Sequence, residues 1–446
     1  MRRKISKYIT VLILMLSSAV SFFPQPSPLS TGKSPARPVA AALSPAEDAF
    51  LEDLEQRAFQ FFREHSDSGT GLTLDRAHTN GTTVPPTDGG YNVASTAATG
   101  FGLSGYCIAA DRGWITPAEA RDHVRAALDF FANRAVNVNG WFYHWMDAAT
   151  GARRWSSEIS SIDTALLLGG VLTARQCFAD DAQIAALATQ IYNRVDFAWM
   201  LNGHPFLLSH GWIPESGWIP YRWDTYSEHL LLYVLAIGSP THPISPRAWY
   251  AWQRTWYQYG NYKYLAAVSP LFIHQYSHAW IDFRGRREHR PPYVDYFKNS
   301  VAATYAQRQF FIDVLSLEFP QYSATLWGLT ASDSANGYVG WGAPPRHPST
   351  DGSVVPCAPG GSLMFAPEIA LPALEEMKTR FGASVYGRYG FADAFNPHTG
   401  WVDGDVIGID LGITLLSAEN LRSGKNWFWF MRNDEIGQAL RRISLI

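Results

Sequence analysis

Three stretches of this sequence place carboxylates at the polar start of an apolar run. Trp155-Ser-Ser-Glu158-Ile-Ser-Ser-Ile-Asp163 leads into Thr164, Ala165 and three leucines. Tyr221-Arg-Trp223-Asp224-Thr-Tyr226-Ser-Glu228-His229 leads into Leu230 to Leu232, and Trp401-Val-Asp403-Gly-Asp405-Val-Ile-Gly-Ile-Asp410 leads into Leu411. One such acid alone is most simply a first-turn charge that matches the positive end of a helix. Three of them in a Trp-rich chain point further, because cleavage of a glycosidic bond needs one protonated carboxyl and one ionised carboxyl, and helix ends distant in sequence can supply both. The candidates for that pair are Glu158 and Glu228, with their roles open. Asp410 is the third candidate for the chemistry, and Asp163 is expected to orient the others.

Other patterns carry less. His274-Gln-Tyr-Ser-His278 sets two imidazoles four residues apart, but it lacks the Glu of a zinc-protease helix and shows no third ligand, so sugar-hydroxyl binding or core packing is favoured over a metal. Trp327-Gly-Leu-Thr-Ala-Ser-Asp333 ends on an acid suited to accept from a sugar hydroxyl. Gly337-Tyr-Val-Gly-Trp-Gly342 has no following Gly-Lys-Ser/Thr and is not a phosphate loop, and no Gly-x-Ser-x-Gly elbow stands out. No metal and no cofactor is expected.

The composition agrees with a sugar ligand and excludes others. A formal net charge of -3 offers neither a basic footprint for nucleic acid nor a polybasic membrane patch, so no nucleic acid and no stable membrane partner is expected. The 17 tryptophans combine flat apolar faces with a polar edge, which suits sugar rings; core packing accounts for a single Trp equally well. At the amino terminus Arg2, Arg3, Lys4 and Lys7 precede an apolar stretch from Tyr8 to Phe23 and a small-residue site, Val39-Ala-Ala-Ala42. This reads as a signal peptide and spacer over 1–42, hence a secreted or periplasmic protein. Three cysteines, at 107, 177 and 357, leave one thiol unpaired in any case, and Cys107 and Cys177 read as small core residues.

The elements that must position the acids are helices. Ser44-Pro-Ala-Glu47 and Thr116-Pro-Ala-Glu119 are capping boxes with Pro at the first helical position, and each opens an amphipathic helix. Between them, residues 93–110 are apolar and small on every side, as in a helix surrounded by protein. The alternation continues: a buried helix over 162–178, an amphipathic one over 185–201, a buried one over 226–237, and another outer helix capped by Ser245-Pro246. Two more are read over 299–318 and 367–381, and the apolar 409–421 closes the set. Strand alternation is scarce, and no Pro/Gly linker divides residues 43–446. The spacing predicts one all-α domain of about a dozen helices, arranged as an (α/α)6 barrel with the polar starts of the inner helices facing one cleft.

Long ordered motifs then carry a resemblance. Ser239-Pro-Thr-His-Pro, His274-Gln-Tyr-Ser-His-Ala-Trp-Ile-Asp-Phe-Arg284, Asp295-Tyr-Phe-Lys-Asn-Ser300, Trp327-Gly-Leu-Thr-Ala-Ser-Asp333, Tyr389-Gly-Phe-Ala-Asp-Ala-Phe395 and Ile409-Asp-Leu-Gly-Ile with Glu419-Asn resemble the bacterial glucoamylase-like (glycoamylase) family, over roughly residues 50 to 445. The resemblance implies an (α/α)6 barrel and an endo-β-1,2-glucanase type of activity. It also implies that Glu158 and Glu228 occupy positions used in catalysis and that Asp410 matches the acid of the family's Ile-Asp-x-Gly stretch, where it would orient or tune the pair. Ser227 and Leu411 stand where relatives often carry Asn and Gln.

The reading is therefore an exported monomeric glycoside hydrolase that cuts a β-glucan, with a β-1,2-glucan favoured, and whose partner is an oligo- or polysaccharide. Glu158, Glu228 and Asp410 are its catalytic candidates. Asp163, Asp333, His274, His278, Arg284, Trp327, Trp223 and Tyr226 are its substrate-binding candidates. Two alternatives keep the same fold: a polysaccharide lyase, for which Arg284-Gly-Arg-Arg287 is the one basic cluster, and a non-catalytic glycan-binding protein.

Overall fold

The chain alternates helices that are buried all round with helices that are buried on one face, and that alternation builds two concentric layers. A computed structural model describes residues 43–82, 90–265 and 270–445; the expected signal peptide and spacer lie outside the described residues. In chain order the helices are α1 (Pro45–His65), α2 (Thr96–Arg112), α3 (Pro117–Asp129), α4 (Ser161–Cys177), α5 (Ala182–Arg194), α6 (Leu230–Gly238) and α7 (Tyr276–Trp280). They continue with α8 (Tyr296–Phe310), α9 (Ser316–Glu318), α10 (Cys357–Gly360), α11 (Pro367–Phe381), α12 (Gly408–Arg422), α13 (Lys425–Met431) and α14 (Asp434–Arg442). The inner ring is α2, α4, α6, α7, α10 and α12, whose residues are almost all buried. Around it, α1, α3, α5, α8 and α11 bury one stripe each.

The ring closes tightly because glycine stands where two inner helices touch. A Cβ on Gly170 of α4 would sit 2.0 Å from the Gly100 carbonyl oxygen of α2, and one on Gly100 would sit 2.3 Å from the Leu166 carbonyl oxygen. No side chain can give way at such a backbone-to-backbone contact. Gly170→Ala is therefore expected to destabilise the fold by about 3 kcal/mol, read as a lowered denaturant midpoint; a wild-type midpoint would show that α2 and α4 do not meet there.

Several boundaries differ from the sequence reading, each for a local reason. The outer helix expected after Ser245 is only a 3-10 turn, Pro246–Tyr250, and α14 packs against α6 instead, with the Glu435 carbonyl against Gly238. The helix expected over 226–237 begins at Leu230, with His229 as its cap residue, so Glu228 lies just ahead of it. Ser44 and Glu47 form a full capping box, whereas Thr116 caps α3 without the return bond because Arg63 holds the Glu119 carboxylate at 3.0 Å. The scarce strands exist as short ladders, and three of them run directly into inner helices: Val93–Ser95 into α2, Ile159–Ser160 into α4 and Asp405–Ile407 into α12. They gather the polar starts of the inner helices at one mouth. The opposite end is sealed by α13, where Trp427 and Asn426 donate to the carbonyls of His278 and Ala279.

Candidate active site at the mouth of the inner ring

Glu158 is held by a histidine from the neighbouring hairpin. The His144 backbone N–H donates to the Glu158 carbonyl at 3.0 Å, which sets the two residues side by side just ahead of α4. Their side chains then meet, with His144 Nδ1 3.0 Å from Glu158 Oε1 and His144 Nε2 3.4 Å from Asp163 Oδ1. Asp163 sits in the first turn of α4, where the Ser160 hydroxyl both caps its backbone N–H and donates to its Oδ2 at 2.5 Å. Burial alone would lower the imidazole, but the carboxylates of Asp163 and Glu158 outweigh it and raise His144 to about 9. It is a cation at neutral pH. Burial likewise works to raise Glu158, yet the charge and hydrogen bond of His144 prevail and keep that carboxyl below the usual range. For Asp163 the burial prevails and the carboxyl is raised.

Glu228 sits in the opposite electrostatic condition. It precedes α6, accepts from the Ser227 hydroxyl on its carboxylate, and accepts from the Ser277 hydroxyl of α7 on its backbone carbonyl. Burial raises its carboxyl, the Ser227 bond opposes this in part, and the negative charge of Asp163 adds to the rise. The two glutamates are thus pushed apart, Glu158 towards the ionised form and Glu228 towards the protonated one, which is the division of labour that acid-base catalysis requires.

A second acidic group lies across the same mouth. Asp410, in the first turn of α12, is hydrogen-bonded to Asp393, whose Oδ2 also accepts the Asp333 backbone N–H at 2.7 Å. Burial raises both, Asp410 to about 6 and Asp393 well above its usual value, and the charge of Asp410 adds to the rise of Asp393. Burial and Asp333 push Asp403 up to about 7. Arg76 offsets part of this charge through Asp333 at 2.7 Å, Asp75 at 3.4 Å and Asp405 at 3.5 Å. The two groups face each other: the Tyr276 phenol feels both Asp410 and Glu228, and the charge of Asp75 acts on both His144 and Asp410.

Among the described residues, two sets of side chains have ligand atoms within 4.8 Å of one another, His144 with Glu158 and Asp163, and Asp333 with Asp393 and Asp403. Neither is visible as a spacing in the sequence. Three carboxylates suit a hard cation rather than zinc, but an ion there would compete with the Arg76 guanidinium already on Asp333.

Of the residues singled out from sequence, Glu158, Glu228, Asp163, Asp333 and Asp410 come together at the mouth. The others do not reach it. Trp223 lies under the start of α4, donating to Ser161 Oγ at 2.9 Å and stacked on His210. Tyr226 and Trp327 are wholly buried. His274 packs against Tyr226, and His278 against Phe283 and Phe365; burial lowers both imidazoles to about 3, so they are neutral core residues rather than sugar ligands. Arg284 lies beyond the C-terminal end of α7, paired with Asp282 and stacked on Trp427 of α13. The basic cluster that a lyase would use is therefore on the wrong side of the ring. Aromatic faces beside Glu158 come instead from Trp145, stacked on His144, from Trp155, and from the cross-strand pair Trp212 and Trp218, all half-buried. Sequence reasoning missed His144, Asp75, Arg76 and Asp393 as site residues. Asp393 stood in a motif that carried the resemblance, whereas Arg76 begins a three-residue strand and Asp75 and His144 stand in bends beside short strands, with no apolar run to mark them.

The Glycoamylase family model matches residues 220–434, the part of the chain that contains Glu228, Asp333, Asp393 and Asp410. The endo-β-1,2-glucanase from Chitinophaga pinensis, solved with sophorotriose and glucose, superposes with a TM-score of 0.82 at 26% identity, covering 90% of this chain and 98% of that one. The chain is similar to the glycoamylase-like family over residues 220–434, and its fold is an (α/α)6 barrel. A further relative, the exo β-1,2-glucooligosaccharide sophorohydrolase (non-reducing end) of Parabacteroides distasonis, is 26% identical over 447 residues and matches 92% of this chain. The present chain spans 60% of that relative's length. At 13% identity, the endo-β-1,2-glucanase of Talaromyces funiculosus with sophorose shares the fold, with a TM-score of 0.63 over 89% of this chain and 90% of that one.

Proposed function

We propose that this glycoamylase-like protein is an exported glycoside hydrolase that cleaves β-1,2-linked glucan. The observation that carries the reading is the divided pair at the mouth, Glu228 pushed towards the protonated form by burial and the charge of Asp163, and Glu158 pushed towards the ionised form by His144 at 3.0 Å. Glu228 donates its proton to the glycosidic oxygen as the bond to the leaving sugar breaks. Glu158 meets the developing positive charge at the anomeric carbon, as the base for a water or as the nucleophile. Asp333, Asp393 and Asp410 with Arg76 present acceptors and donors for the hydroxyls of the sugar held beside that carbon, and Trp145 and Trp155 offer flat faces for an adjoining ring. The β-1,2 linkage is taken from the Chitinophaga and Parabacteroides relatives. Export follows from the charged and apolar amino-terminal sequence, and no helix among the described residues is long and apolar enough to cross a membrane.

The test is release of reducing sugar from a panel of linear β-1,2-, β-1,3-, β-1,4- and α-1,4-glucans. Cleavage of the β-1,2-glucan alone, with sophorose-type products, is expected. Hydrolysis of the α-1,4-glucan in its place would overturn the substrate, and no hydrolysis of any glucan would favour a binding protein.

A further inference from the structure

Away from the mouth, two thiols meet across the seam between α2 and α4. These inner helices run side by side in the same direction, in a register that puts Gly170 against Gly100. Seven residues further along each helix, two full turns, stand Cys107 and Cys177. The same face is therefore presented again towards the closed end of the ring, and the two thiols are near enough for Cys177 to act on the Cys107 thiol. Both are free, Cys107 fully buried and Cys177 half-buried as the last residue of α4. The third thiol, Cys357, lies at the start of α10 and is hydrogen-bonded to Asp410, so it belongs to the other end of the ring.

We propose that Cys107 and Cys177 are a redox modification site, a thiol pair that closes into a reversible disulfide tying α2 to α4. The oxidant is a disulfide of the small-molecule or dithiol-carrier class. Cys177, the thiol that solvent reaches, attacks one sulfur of that disulfide as a thiolate, forming a mixed disulfide and releasing one reduced thiol. Cys107 then attacks Cys177 Sγ; the Cys107 proton leaves with the second reduced thiol, and the two electrons given up by the pair have reduced the donor's disulfide. Burial pushes the Cys107 thiol well up, which fits it to resolve the mixed disulfide rather than to start the exchange. The bridge would close a loop that contains α3 and most of α4, and loop closure of that kind stabilises a fold chiefly through its unfolded state. An oxidising compartment, which the amino-terminal sequence leads one to expect, would hold the bridged form.

The experiment is thiol counting. The full chain is reduced, freed of reductant, incubated with oxidised glutathione, unfolded without reductant and alkylated. A fall from three alkylatable thiols to one, with a Cys107–Cys177 cross-linked peptide after digestion, is expected. Cys107→Ser should instead accumulate glutathione on Cys177, and Cys177→Ser should take up none. Three free thiols in the oxidised wild type, or a stable glutathione adduct on Cys177 of the wild type, would overturn the proposal. The wild-type count decides without any variant, and it is independent of whether the protein hydrolyses glucan.

Discussion

Glu228→Gln is expected to lower turnover on β-1,2-glucan by about a thousandfold, within the range that a positioned general acid contributes, while the melting temperature stays close to wild type. The amide keeps the size of the carboxyl and can still accept from Ser227, and burial, which raises this carboxyl, disfavours its charged form, so a neutral amide suits the site. The fold around it rests on other groups, since His229 and not Glu228 is the cap residue of α6 and the Glu228 contact to Ser277 uses the backbone carbonyl. Turnover close to wild type would remove Glu228 from the chemistry. A variant that folds poorly would return it to a structural role.

His144→Gln is expected to move the acid limb of the pH-rate profile upward by about one to two pH units, the size of effect that an opposite charge in direct contact exerts. The sign follows from the balance at Glu158. In the wild type the imidazolium holds that carboxyl below its usual range, so activity persists as pH falls until Glu158 takes up a proton. Without the cation, burial, the largest influence and one that raises the carboxyl, is opposed only by a backbone hydrogen bond and the charge of Arg153; the ionised fraction then declines at a higher pH. Turnover should drop on the acid side of the profile and recover towards neutral pH, because a raised carboxyl is ionised to a smaller extent there. His144 is on this account a positioning residue, and the pH profile separates that role from a merely structural one. An unshifted acid limb with uniformly lower activity would mean that His144 only packs on Trp145.

What could be read ahead of the structure was what periodicity and apolar content encode. The two helical layers followed from α2 and α4 being apolar on every side while α1 and α3 bury one stripe, and the acids that open α4 and α12 stood out because a polar cluster ends abruptly in leucines. Limits appeared wherever local chemistry is overridden by packing. The turn after Ser245 carries a sound start signal, yet α14, from the far end of the chain, packs on α6 in that region. His274 and His278 have the spacing of a ligand pair, but His274 ends the 3-10 turn Leu271–His274 and His278 stands in the five-residue α7, and both are buried, so both imidazoles lie in core. His144, Asp75 and Arg76 were illegible because short strands bring them to the mouth through pairings such as Ala77 with Val406 and Ala94 with Met146, and a two- or three-residue ladder leaves no periodic trace. The divided state of the two glutamates was equally hidden, since it depends on which one a histidine from another segment touches.

The most direct test of the central claim, that Glu228 delivers the proton to the leaving sugar, compares Glu228→Gln on two substrates that share the sugar at the cleaved bond. One is β-1,2-gluco-oligosaccharide, whose leaving alcohol needs protonation; the other is an aryl β-sophoroside whose acidic phenol leaves without it. The account predicts a loss of about a thousandfold on the oligosaccharide and little loss in the rate of aryl release. Equal losses on both substrates would contradict it.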